Sequence, residues 1–181
     1  MKKLLLLSMI SSLLINPAFG FKQEDVEKLL TTTKCGKCDL SGADLRKMQR
    51  PRRSSFYLEE ANLENTDLRG VDLSGAKMMR SNLKGADLRG ADLENADLKS
   101  ADLTEANLES ASLNYTNLTG ADLTEANLKN SELYKASLSG AVMLNADLDF
   151  ADMYGARLCN TVVPDGQRVF YECRAYIVTK Q

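Results

Sequence analysis

Four cysteines carry the only thiol chemistry in this chain, and they fall in two pairs, Cys35 with Cys38 and Cys159 with Cys173. Cys35-Gly36-Lys37-Cys38 has the C-x-x-C spacing of a redox motif, a structural bond or half a zinc site. A redox enzyme needs that motif in a βαβ setting, with its thiolate at a helix N-terminus. Here it runs directly into Asp39-Leu40, so packing or a structural bond is the expectation. Zinc usually takes four ligands, and the chain has no His. The same absence excludes Ser-His-Asp, Cys-His and His-metal catalysis. Asp and Glu are plentiful but regularly spaced, and no Gly-rich phosphate loop occurs. The expectation is a non-enzymatic protein with no catalytic residues, metal, cofactor or small-molecule substrate.

Two other groups could make contacts. Arg46, Lys47, Arg50, Arg52 and Arg53 place five cations within eight residues. They suit a docking loop for an acidic partner, a lipid headgroup or a polyanion, or simply a solvated insertion. Tyr115, Tyr134, Tyr154, Val142, Leu144 and Phe150 gather aromatic and aliphatic groups late in the chain. The chain has 181 residues, 27% charged and 44% hydrophobic, with net charge -2. That balance fits one folded domain with tails, and no basic field to drive direct nucleic-acid binding.

Residues 1–20 read as an address. Lys2 and Lys3 precede a run of about a dozen mostly apolar residues, too short to span a bilayer. Pro17 and Ala18-Phe19-Gly20 then present a cleavage site before Phe21. The expectation is export to the periplasm or beyond, with no transmembrane segment after cleavage. Export permits disulfides.

The middle of the chain has period five. Residues 56–160 divide into 21 blocks without a register slip. The third place is Leu in 18 blocks and Met in three, and the first place is Ala in 15. Five residues on an α-helix turn about 500°, so these leucines would form no face. On a flat strand, residues five apart point to opposite sides. The chain must therefore bend once per block, returning every Leu to one interior. First and third places, two apart, point inward together, and the other three face solvent.

Blocks such as Ala86-Asp87-Leu88-Arg89-Gly90 and Ala121-Asp122-Leu123-Thr124-Glu125 resemble the pentapeptide-repeat family, A-[DN]-L-x-x. The match also takes in residues 38–47. The resemblance implies an all-β fold, a right-handed quadrilateral parallel β-helix with four blocks per coil. At about 4.8 Å per coil the main rod would be roughly 25 Å long. Residues 48–55 break the register and are expected to loop out. Residues 21–37 hold the C-x-x-C entry and a short amphipathic helix over Gln23–Thr32, expected to cap the first coil. Residues 161–181, with Pro164-Asp165-Gly166 as a turn, are expected to form a C-terminal cap.

On such a rod the two cysteine pairs lie at opposite ends, beyond the roughly 7 Å limit of a disulfide. Of three pairings only Cys35–Cys38 with Cys159–Cys173 survives. Tyr134 and Tyr154, twenty apart, should stack on one face, with Tyr115 one place off. Together with Val142, Leu144 and Phe150 they form the candidate partner surface, unless the tail covers it. The repeats hold 18 acids and nine bases. Pentapeptide proteins that protect DNA gyrase are thought to imitate duplex DNA, which gives a second reading. Export, interleaved cations and the short rod oppose it. The leading expectation is an exported scaffold for a protein or envelope component. A C-x-x-C thiol–disulfide enzyme is the third reading, and an exposed end coil would suit a homodimer.

Overall fold

A computed structural model of the chain describes residues 21–49 and 55–169. The expected leader, Arg50, Arg52, Arg53, Cys173 and the tail beyond Val169 lie outside them. From residue 56 onward, parallel bridges join Asp67 to Asp87, Asp87 to Asn107 and Asn107 to Asn127. Bridged partners are four blocks apart, so four blocks close one coil. The Leu88 N–H donates to the Asn107 carbonyl at 2.7 Å, and the Asn107 N–H donates back to Ala86 at 2.9 Å. Every extended segment of the inner coils is thus held by the coils on either side of it, and the short strands need no length of their own.

The bend between sides is a β-turn. The next first-place N–H donates to the third-place carbonyl, as Ala91 does to Leu88 at 3.0 Å. The fifth-place residue inside that turn has φ between 54° and 75° in all 21 blocks. Only seven of these residues are Gly. The other 14 hold a left-handed conformation that costs an L-residue about 1–2 kcal/mol. Two hydrogen bonds offset the cost. The fifth-place N–H donates to the next coil, as Glu105 does to Thr124 at 2.9 Å. The fourth-place N–H donates to the side chain two residues earlier, as in Thr104 to Asp102 at 2.9 Å and Ser74 to Asp72 at 3.0 Å. Asp and Asn recur at the second place because their short oxygens close this turn. The expectation treated them only as solvated polar residues.

First- and third-place side chains fill the interior. Leu88, Leu108 and Leu128 are fully buried, as are Ala86 and Ala106. Polar substitutes in the first place are matched. Thr116 Oγ1 donates to the Leu93 carbonyl at 2.7 Å, and Ser131 Oγ donates to Leu128 at 2.7 Å. No buried side-chain polar atom among the described residues lacks a partner. The inside is therefore a continuous apolar column without orphaned groups.

Helix α1 spans Gln23–Thr32 and buries Val26 and Leu29. It is tied to the first coil by the Asp39 N–H, which donates to the Asp25 carboxylate at 2.9 Å. Lys22 also donates its N–H to the Asp39 carbonyl at 3.2 Å. Cys35 takes a third place and Cys38 a first place, bonded to each other and buried. In this coil Lys34, Asp39 and Asp44 bridge to Tyr57, Asn62 and Asp67, an offset of 23. That corrects the reading of residues 48–55 as a looped-out insertion at Met48, while residues 50–54 lie outside the described ones. Met48 is buried and donates its N–H to the Leu45 carbonyl at 2.8 Å, the ordinary turn bond. It opens the fourth side of the coil, which exceeds a regular one by three residues. At the other end, β1 (Thr161–Val162) and β2 (Arg168–Val169) pair antiparallel. Val162 bridges parallel to Val142, so the hairpin continues one side of the last coil.

One outer column carries alternating charge. Arg46, Arg69 and Arg89 each grip the aspartate two residues earlier, at 2.7, 2.6 and 2.6 Å. Arg46 also reaches Asp67 at 3.1 Å and Arg69 reaches Asp87 at 3.5 Å, linking coils. The arginine hydrogen bond, more than simple charge, holds Asp44, Asp67 and Asp87 below the usual aspartate range.

The packing and the charge column each give a measurable outcome. Leu108→Ala in the middle of the stack should cost about 2–5 kcal/mol, read by urea unfolding. Leu148→Ala, at a half-buried position in the last full coil, should cost less. Equal losses would mean that the coils do not depend on neighbours on both sides. For the charge column, a depressed folded pKa stabilises above the unfolded value and is lost as pH falls through the folded one. Arg69→Gln should therefore lower the melting temperature slightly at pH 7. The gap should close as pH falls below 3.8, the ordinary aspartate value, and shrink in about 1 M salt. A gap that widens in acid would contradict the assignment.

Candidate functional site

The groups with thiol chemistry are closed off. Cys35 is 0% and Cys38 2% exposed, and their bond lies under α1. Asp25 is the only other ligand-type group found beside them in the described residues, within 4.8 Å. Joined to each other, the sulfurs offer no thiolate to a metal or a substrate disulfide. Between residues three apart, the bond closes a short stretch of the first coil, with Cys35 Sγ 3.1 Å from the Asp25 carbonyl of α1. The other expected bond, from Cys159, ends on Cys173, outside the described residues. Of the basic group, Arg46 belongs to the charge column described above, while Lys47 is exposed.

The aromatic residues come together as their spacing requires. Tyr134 and Tyr154 occupy the same place in successive coils, with ring centroids 5.9 Å apart and planes within 4°. Tyr115 meets Tyr134 edge to face at 5.4 Å. The Lys135 ammonium lies over the Tyr134 ring at 4.8 Å and over Tyr115 at 5.8 Å. Phe150 stands at the corner leading into the same side of the rod, 87% exposed. Its φ is 60°, and that of Tyr115 is 58°. Bulky aromatic residues rarely take this conformation.

The rest of the expected patch lies elsewhere. Val142 and Leu144 belong to the side that β1 extends. Val142 bridges to Val162, and Asn145 donates its N–H to the Pro164 carbonyl at 2.9 Å. Gly166 of the hairpin turn approaches the Leu144 side chain. The hairpin therefore approaches one aliphatic cluster, while the tyrosine row stands on a different side. The single surface of six residues divides in two because consecutive blocks occupy different sides of the square.

Three acidic residues not singled out from sequence complete the tyrosine side. A groove of about 560 Å³ is lined by Tyr115, Tyr134 and Phe150 together with Glu94, Glu132 and Asp152. The Glu132 carboxylate accepts from the Asn114 amide at 2.7 Å, and Asp152 accepts from the Tyr154 N–H at 3.0 Å. None of the three carboxylates joins an ion pair among the described residues. The four-block spacing was the signal that could have found Glu132 and Asp152, which share one column. Among the described residues, no helix is long and apolar enough to cross a membrane.

The same repeats occur in known proteins. The profile of pentapeptide repeats matches in eight copies, over residues 57–95, 91–130, 101–140 and 126–162. The pentapeptide repeat protein Rfr23 from the cyanobacterium Cyanothece 51142 is 28% identical, over 77% of this chain and 97% of that one, with a TM-score of 0.48. The pentapeptide repeat protein alr5209 from Nostoc PCC 7120 is 33% identical, over 54% of this chain and 76% of that one, with a TM-score of 0.46. QnrB1, a plasmid-mediated fluoroquinolone resistance protein, is 23% identical, over 73% of this chain and 72% of that one, with a TM-score of 0.41. No curated protein matches the chain. Rfr23 and alr5209 are both described as pentapeptide repeat proteins. The repeat profile covers more than half of the residues and coincides with the four-block coils, and the chain belongs to the pentapeptide-repeat family.

Proposed function

We propose that this protein is an exported, non-enzymatic β-helical scaffold that binds another protein or an envelope component through its tyrosine side. One observation carries the reading. Phe150 is 87% exposed on a left-handed backbone, so it costs both strain and apolar exposure without filling the core. Such costs concentrate at functional surfaces. The adjoining row of three tyrosines supplies rigid, amphipathic contact area. Export is supported by the leader pattern of residues 1–20 and by the Cys35–Cys38 bond, which suits an oxidising compartment. In this reading α1 and the β1–β2 hairpin close the two ends of the rod, whose strand edges would otherwise invite further pairing.

The DNA-mimic reading draws on the acidic excess of the repeats. It is weakened by the alternation of Arg46, Arg69 and Arg89 with Asp44, Asp67 and Asp87, which breaks the row of one sign along that column. A thiol–disulfide enzyme is weakened by the burial of both sulfurs.

Tyr134→Ala combined with Tyr154→Ala tests the scaffold reading in a Gram-negative host. The native chain should be recovered from the periplasm or medium beginning at Phe21, and cross-linking in the envelope should join it to a discrete partner. The double variant should lose that partner while its unfolding free energy changes by less than about 1 kcal/mol. An uncleaved cytoplasmic chain contradicts export, and an unchanged cross-linked set contradicts the tyrosine side.

A further inference from the structure

The tyrosine side sets carboxylates without ion pairs beside exposed aromatic rings. Some acids of the rod are paired across coils, Asp67 with Arg46 and Arg69, Glu60 with Lys37 and Arg80, Asp147 with Lys129, while others, Asp102 and Asp122 among them, join no ion pair among the described residues and have no aromatic ring beside them. In the groove, Glu94, Glu132 and Asp152 have no cation among the described residues. The nearby ammonium of Lys135 is turned instead onto the faces of Tyr134 and Tyr115. That contact shows the chemistry this side holds, an ammonium against an aromatic ring. Phe150 opposite adds a second aromatic wall.

We propose that the groove between Phe150 and the tyrosine row receives the guanidinium or ammonium group of a basic polypeptide segment. The proposal rests on the scaffold reading and names the chemistry of its partner. A cation satisfies both elements of the groove, carboxylates through charge-assisted hydrogen bonds and rings through their quadrupoles. An apolar side chain would strip water from Glu132 and Asp152 with nothing in return. Phosphate backbones and anionic headgroups would be repelled by the same acids. Arginine fits best, because its planar fork can meet a carboxylate while stacking on an aromatic face.

The test uses the full exported chain with its disulfides intact. The probe is a blocked Gly-Arg-Gly-Arg-Gly peptide, and its counterpart carries citrulline, which keeps the shape and loses the charge. With no Trp in the chain, tyrosine ring signals in NMR report the groove. The arginine peptide should saturably shift Tyr134 and Tyr154, and the citrulline peptide should bind about tenfold more weakly. Glu132→Gln with Asp152→Asn should weaken the arginine peptide about tenfold, and Phe150→Ala about threefold to tenfold. Asp102→Asn with Asp122→Asn removes the same charge from another side, retains the turn acceptors, and should have little effect. Equal weakening by that control overturns the proposal, because the attraction would then be diffuse. Equal binding of the citrulline peptide overturns it too, while leaving the docking side itself intact. Binding seen only after deletion of residues 170–181 would make the chain's own tail the occupant, and the partner proposal fails. Loss of the cross-linked partner in the tyrosine variant is a separate readout. Its absence would sink the scaffold reading even if the peptide bound.

Discussion

The chain can return its leucines to one interior only if every fifth residue turns the backbone the wrong way for an L-amino acid. That left-handed corner recurs in all 21 regular blocks, with Gly at only seven of them. At about 1–2 kcal/mol for each of the others, the corners would be prohibitive in isolation. They persist because most lie in a closed net. The turn bond fixes the corner from within, the second-place Asp or Asn takes the fourth-place N–H, and the fifth-place N–H reaches the neighbouring coil. A corner without neighbours loses part of that net, which is the physical reason the ends need different structures. Helix α1, the Cys35–Cys38 bond and the β1–β2 hairpin stand there.

Once corners fix the coil at four blocks, the surface becomes a set of columns. One column carries the Arg–Asp alternation, which links coils by charge at exposed sites of modest energy. Another carries Tyr134 and Tyr154, with acids and Phe150 beside them. The fold constrains the outer places only through the turn acceptor at the second and the left-handed corner at the fifth, so specificity can be written on the outside without disturbing the core. Phe150 and, less exposed, Tyr115 are the costly cases, since each puts an aromatic ring on a strained corner.

Period five, the inward first and third places and the meeting of Tyr134 with Tyr154 were legible in the sequence. These follow from spacing alone. Three features were not. The second-place Asp and Asn looked like solvated residues, because a one-dimensional pattern shows polarity but not the N–H that Asp102 accepts. Met48 looked like part of an insertion, because the lengthened first coil breaks the register before the chain leaves the core. Val142 and Leu144 were grouped with Phe150 because nearness in sequence was read as one surface, although successive blocks turn onto different sides. The acids of the groove were hidden among many acids, and became distinct only when the coil set them beside Tyr134 and Phe150.

The dependence on left-handed corners is tested most directly at Glu125, an exposed fifth-place residue with φ of 60°. Urea unfolding would compare the native chain with Glu125→Gly and Glu125→Val. Gly removes the conformational penalty but loosens the unfolded chain, so it should leave stability unchanged or raise it by up to about 1 kcal/mol. Val, β-branched and ill-suited to positive φ, should fall below Gly by about 1–2 kcal/mol or more. If Val matches or exceeds Gly, the corner is not left-handed in solution, and the four-block coil loses its physical basis.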